Sequence, residues 1–397
     1  MKTNWRLPRG VDELLPPHAW ELETLRRRVL DLFVTWGYAY LEPPVIEYLD
    51  ALLVGSGEDL DLQTLKVVDQ VSGRQLGVRA DMTSQAVRVD AHSLPGEGVQ
   101  RFCYVGPVVF ANPQIAQTSR VPIKAGAELF GAAGVRGDAE VVNLMLAAVD
   151  AAGVSQPVLL LGHMGIYRSL VAALPASDAL ETSALFAAIQ RKSTADIEHI
   201  LAQAGVLDSP FARMLIELPM LMGDQESVGT VRRALSKAPP AVAEALDALD
   251  ELISLVSESN PAVSVRIDVA ELSGYGYHNG PVFAVYHPEH GSALAQGGRY
   301  DNIGEAFDRP RPATGFDMNL KAFVADLAHE SELIFAPLVA NALTASWWAE
   351  VQRLRAEGRQ VITALSADEL PPSGCKLVLQ SDGSAEMAWQ LVPHTTT

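Results

Sequence analysis

Four short segments hold the residue types that a pocket for a small polar molecule needs. They are RADMT at 79–83, GAELFG at 126–131, GYGYHNGPVFAVY at 274–286 and QGGRYD at 296–301. Between them they supply glycine, which lets backbone approach a ligand closely, together with carboxylates, hydroxyls and aromatic rings. Asp81 and Thr83 lie two apart, so in an extended segment their side chains point to one side and converge on a single ligand ammonium. Glu128 stands between Ala127 and Leu129 in an apolar strand, where a buried carboxylate is costly unless a cation meets it. A bound α-ammonium is the natural candidate. In GYGYHNG an extended strand puts Tyr275 and Tyr277 on one face and His278 on the other, unless a bulge intervenes. Plainer readings stand beside these: a loop salt bridge or cap for Asp81, Thr83 and Glu128, a core histidine for His278, and a turn brace for Arg299 and Asp301.

The elements that must position these residues are legible from periodicity. Leu22, Leu25, Val29, Leu32 and Phe33 recur at helical spacing behind Pro16-Pro17, with Gly37 as the stop, which predicts a helix over about 18–36. The Pro-Pro pair in YLEPPVIEYLDALL predicts an extended element. LKVVDQVSGRQLGVRADMT reads as two strands around a Ser72-Gly73 turn, and RFCYVGPVVFA as another strand. VRGDAEVVNLMLAAVDAAG places Val141, Leu144, Met145, Ala148 and Val149 on one face of a helix. Ala/Leu-rich helical periodicity then runs over about 175–260, and strand character returns at AVSVRIDVAEL and GPVFAVY. A strand-rich block flanked by helices predicts an α+β antiparallel fold rather than a doubly wound parallel sheet. The expected organisation is one domain over 1–327, carrying a helical insertion at about 175–260, and a small C-terminal α/β module over 328–397.

Composition narrows the classes of function. The chain has 397 residues, 48% of them hydrophobic, and no run resembles a membrane span or a secretory signal, so a cytoplasmic location is expected. A formal charge of −18 repels a nucleic-acid backbone, and no Lys/Arg track opposes that. Cys103 and Cys375 form neither a CxxC pair nor a zinc pattern, so buried reduced thiols are expected, with no metal and no cofactor.

In these motifs and their order, residues 5 to about 327 resemble the class II catalytic core of histidyl-tRNA synthetase. The resemblance is closer to its non-catalytic paralogue, the regulatory subunit of ATP phosphoribosyltransferase. It implies a synthetase-like antiparallel sheet flanked by helices, whose first helix-to-strand unit builds a homodimer. It also implies a histidine pocket in which the GYGYHNG segment, with His278 where the synthetase has a tyrosine, and Tyr300 lie near the imidazole ring. Lys124 stands where the synthetase has a glutamine near the bound amino acid. A lysine there could pair with the ligand carboxylate, or neutralise Glu128 or Asp81 and occupy the ammonium position. Opposite unit charges about 4 Å apart attract by roughly 4 kcal/mol at an effective dielectric near 20, before desolvation opposes them. That is enough to close a weak site.

Absences set the reaction class. Adenylation needs the triphosphate clamped by fixed cations, a task suited to arginine's bidentate fork. Where the synthetase pattern has arginines, this chain has Phe110, Ser273 and, in GFDMNLKAF read as a helix, Ala322 or Lys321. Losing even one such group costs about 3 kcal/mol of transition-state stabilisation. The resemblance therefore implies a non-catalytic subunit that activates the short-form catalytic subunit and confers feedback inhibition by L-histidine, in the first step of histidine biosynthesis. It implies a homodimer within a hetero-oligomer, a hetero-octamer in the family. The alternatives are a catalytic histidyl-tRNA synthetase or another amino-acid-activating paralogue, and an ATP-grasping ligase, against which stands the lack of a GxxxxGK[ST] run.

Overall fold

Alternating side chains along two eight-residue strands decide which residues share each face of the sheet. In the computed structural model, which describes residues 6–55, 58–112, 119–272, 278–326, 332–338, 345–381 and 389–394, β5 (Gln100–Pro107) and β6 (Ile123–Phe130) pair antiparallel. Cys103, Val105, Ala125, Ala127 and Leu129 point into the main core, which takes Leu25, Val29 and Phe33 from the helix His18–Thr35 and Val141, Leu144 and Met145 from the helix Val135–Ala151. Phe102, Tyr104 and Phe130 point the other way, into a separate cluster with Met82, Val87 and Tyr300. One face of the sheet is thus sealed by long helices, and the other carries polar residues among aromatics.

The chain divides into two compact units, Met1–Leu327 and Ala328–Thr397. In the first, β1 (Ala39–Leu41), β7 (Val158–His163), β8 (Met222–Asp224), β9 (Ser264–Asp268), β10 (Pro281–Tyr286), β11 (Ala295–Arg299) and β12 (Ala313–Asn319) complete a nine-stranded sheet. Its order is β1-β5-β6-β12-β11-β10-β7-β9-β8. The pairs β1/β5 and β7/β9 are parallel and the rest antiparallel, as the α+β expectation requires. β2 (Ile46–Tyr48), β3 (Leu65–Val68) and β4 (Gln75–Val78) form a small antiparallel sheet, with Gly73 at φ +73° in the turn between β3 and β4. That left-handed conformation is the one glycine adopts without steric cost.

Two expectations need correction. The segment 175–260 is mostly helical, but it also supplies the edge strand β8, and its Leu185, Leu201 and Leu215 join the main core rather than a core of their own. GFDMNLKAF is not a helix: Gly315–Asn319 belong to β12, bonded on both sides by β6 and β11, and only Leu320–Asp326 turn into a 3-10 helix. Among the described residues no helix is long and apolar enough to cross a membrane. Cys103 and Cys375 are both buried and unbridged.

In the second unit β13 (Leu333–Ala336) lies between β14 (Val361–Thr363) and β15 (Cys375–Ser381), parallel to both, and β16 (Trp389–Pro393) adds antiparallel to β15. The helix Ala345–Ala356 packs Trp347, Val351 and Leu354 against Ile334, Ala336 and Leu379.

Candidate functional site

The antiparallel register assembles the site. Along β6, Lys124, Gly126 and Glu128 share a face. Across from them on β12 stand Asn319, Asp317 and Gly315 respectively. Glu128, 1% exposed, is met not by a cation but by hydroxyls. Thr83 Oγ1 and Tyr104 OH each donate to its Oε1 at 2.8 Å, and Tyr300 OH donates to Oε2. Tyr300 is itself buried, with edge-on ring contacts to Phe130 and to His278. Glycines make the floor on which these groups lie. A Cβ on Gly126 would strike the Tyr104 ring, one on Gly298 the His278 ring at 2.8 Å, and one on Gly315 the Glu128 carboxylate.

The sequence candidates fall into place unevenly. Glu128, Thr83, His278 and Tyr300 come together, while Tyr275 and Tyr277 lie outside the described residues. The extended geometry predicted for Asp81 and Thr83 does not hold. Thr83 begins a helix, Thr83–Arg88, so the two side chains do not run parallel. The Asp81 carboxylate instead accepts the Met82 N–H at 2.7 Å, the local cap among the plainer readings. Lys124 neither neutralises Glu128 nor pairs with Asp81. It forms an ion pair with Asp317, its side chain 16% and that of Asp317 9% exposed.

Two further residues belong to this cluster, Tyr104 and Asp317. Tyr104 was readable only as a strand residue, although its two-residue spacing from Phe102 already placed it opposite Cys103. Asp317 is hidden in the sequence because GFDMN fits a helical period as well as a strand one.

The electrostatics follow from burial. Burial raises the Glu128 carboxyl from its ordinary range to about 8; its three hydroxyl donors pull it down and the charge on Asp81 adds to the rise. Asp81 is raised to about 6, first by burial and then by Asp317, with the Met82 and Thr83 N–H groups and Lys124 working against the rise. At neutral pH burial therefore favours the protonated form of Glu128. Because its folded pKa lies above its unfolded one, Glu128 favours the folded state fully only below about 4.5 and loses that contribution as pH rises toward about 8. Glu128→Gln is expected to flatten a stability loss of up to about 1.4 kcal/mol per pH unit across this window. Urea denaturation at pH 5, 6, 7 and 8 measures it, and parallel profiles for the two proteins would show that Glu128 does not titrate there.

Nearby arginines are committed to the fold. Arg79, 1% exposed, donates to the Pro43 and Pro107 carbonyls. Arg311 binds Asp90 at 3.1 Å and the Gly96 and Gly98 carbonyls, and Arg309 binds the Asp90 and Gly96 carbonyls. Of the positions lacking the clamping arginines, Phe110 is half-buried against the second cluster and Lys321 pairs with Asp12 at 3.1 Å, while Ser273 lies outside the described residues.

Comparison with known proteins agrees with this architecture. Residues 10–323 match the family described as Histidyl-tRNA synthetase. Over nearly their whole length, two proteins named ATP phosphoribosyltransferase regulatory subunit are similar to this chain. The one from Alkalilimnicola ehrlichii is 45% identical over 95% of each chain, and the one from Pseudomonas fluorescens 45% identical over 98% of each. A crystal structure titled ATP phosphoribosyltransferase regulatory subunit/histidyl-tRNA synthetase, from Bacillus halodurans, superposes with a TM-score of 0.79 at 25% identity, covering 94% of this chain and 95% of that one. The histidyl-tRNA synthetase of a Nostoc species, 15% identical with a TM-score of 0.78 over 99% of this chain and 97% of its own, shares the fold.

Proposed function

We propose, from the premise that this chain belongs to the ATP phosphoribosyltransferase regulatory-subunit family of histidyl-tRNA synthetase-like proteins, that it is the non-catalytic partner of a short-form ATP phosphoribosyltransferase catalytic subunit. It activates that subunit and transmits feedback inhibition by L-histidine, acting in the cytoplasm as a homodimer within a hetero-octamer. The observation that carries this reading is the near-full-length similarity to proteins of that name, joined to the loss of the cations that adenylation needs. Phe110 and Ser273 have no positive charge, and the ammonium of Lys321 is tied to Asp12. Arg79, Arg309 and Arg311 already serve internal acceptors.

Regulation requires only that the chain bind differently to two states of its partner and that histidine favour the less active one. The residues proposed to line the histidine site are Asp81, Thr83, Lys124, Glu128, Tyr275, Tyr277, His278 and Tyr300. Calorimetry of histidine against this chain alone, then against the complex, separates this ancestral pocket from the partner interface as the effector site.

The functional test adds the purified chain to a short-form catalytic subunit. The expected result is a rise in turnover together with new sensitivity to histidine, and no histidine-dependent ATP–pyrophosphate exchange by the chain alone. Unchanged turnover and unchanged histidine sensitivity would refute the assignment, and robust exchange would restore the synthetase reading.

A further inference from the structure

Lys124 and Glu128 lie on the same face of β6 with Gly126 between them, and Asp317 is the registered partner of Gly126. Lys124 and Asp317 are thus diagonal partners across the β6/β12 pair, Asp317 lying on the Glu128 side of Lys124. The lysine ammonium ends on a carboxylate one step, about 7 Å along the strand, short of the hydroxyl-bound Glu128. Asp317 also raises Asp81, and Lys124 acts on Asp81 in the opposite sense, which puts the three groups within electrostatic reach of one another. The pair is well shielded from water, with side chains 16% and 9% exposed, so it is not a solvated surface contact. A cluster of three carboxyl groups thus already contains one tethered ammonium.

We propose that Lys124 is an internal latch: its ammonium, paired to Asp317, fills the place beside Asp81, Asp317 and Glu128 that a ligand's ammonium would take, so that the isolated chain holds its pocket closed to amino-acid-sized cations. This rests on reading that face of the sheet as a ligand pocket, and it deepens that reading by naming what opens it. Opening requires Lys124 to leave Asp317, and the released carboxylate is then the counter-ion for the incoming amine. The latch differs from a carboxylate-binding lysine, which would have to be free to face the ligand and would strengthen binding.

The experiment is titration calorimetry on the full chain, wild type and Lys124→Met, with two probes that share an imidazole. Histamine carries an ammonium and no carboxylate; 3-(imidazol-4-yl)propionate carries a carboxylate and no ammonium. Methionine keeps the length of the stem while removing the charge, and Lys124→Gln serves as the second variant if thermal melting shows that the first does not fold. Removing the latch is expected to tighten histamine binding at least tenfold and to leave the propionate unchanged. Histamine binding that is unchanged, weaker or undetectable in a folded variant overturns the proposal, as does a loss of propionate binding, which would make Lys124 a ligand for carboxylates. Activation of the catalytic subunit is measured separately with wild-type protein. Its failure alongside a gain in histamine binding removes the regulatory reading and keeps the latch, and the reverse pattern does the opposite.

Discussion

Replacing Arg299 by methionine is expected to destabilise the first unit by about 3–5 kcal/mol, the cost of leaving a buried carboxylate without its counter-ion. Arg299 Nε donates to both Asp138 oxygens at 3.1 Å, Nη1 to Asp301 at 2.9 Å, and Nη2 to the Ala132 and Gly134 carbonyls at 3.2 and 3.1 Å. Asp138 is 1% exposed, so water does not take over when the guanidinium goes. The expected loss is a large part of the roughly 5–15 kcal/mol that holds a typical domain folded. Differential scanning calorimetry is the suitable measurement because it separates the transitions of the two units. Asp138→Asn in the methionine background removes the orphaned charge, so the double variant should recover part of the loss. A double variant no more stable than Arg299→Met would mean that the charge is not what costs. The change also bears on the site: Arg299 precedes Tyr300, and its bonds tie the end of β11 to the loop after β6, so the Tyr300–Glu128 contact depends on it.

How far the sequence discloses this arrangement depends on whether one periodicity or two fit a segment. The helix Val135–Ala151 was legible because Val141, Leu144, Met145, Ala148 and Val149 fit a 3.6-residue period and no other, and all five are fully buried. The turn at Ser72-Gly73 was legible because glycine tolerates the left-handed conformation found there. GFDMNLKAF satisfies both periods: Phe316, Met318 and Leu320 alternate like a strand, while Phe316, Leu320 and Phe323 recur like a helix. Hydrogen bonding from β6 and β11 decides the matter, and a single chain read in order does not display it. That ambiguity concealed Asp317, and with it the true partner of Lys124. β8 escaped notice for a different reason, since three residues inside an Ala/Leu-rich stretch carry no pattern of their own.

The same register makes Gly315→Ala the sharpest steric probe of the site, with an expected cost of about 3 kcal/mol from overpacking and from displaced hydrogen bonds to a buried acid. Gly315 stands directly across from Glu128, and a Cβ there would occupy the space of the Glu128 carboxylate and come within 2.9 Å of the Ala127 carbonyl. The backbone of Gly315 is not among those at positive φ, so alanine suits its conformation and the penalty is one of space. Glu128→Ala clears the carboxylate but leaves the Ala127 carbonyl in the way. The cost of Gly315→Ala should therefore fall by at least about 1 kcal/mol in that background without vanishing, a coupling that a double-mutant cycle by urea denaturation reads directly. Additive effects would place the Glu128 carboxylate elsewhere and dissolve the hydroxyl cage. Coupling would show that Gly315 is required because an acid lies flat on the sheet, within reach of Thr83, Tyr104 and Tyr300.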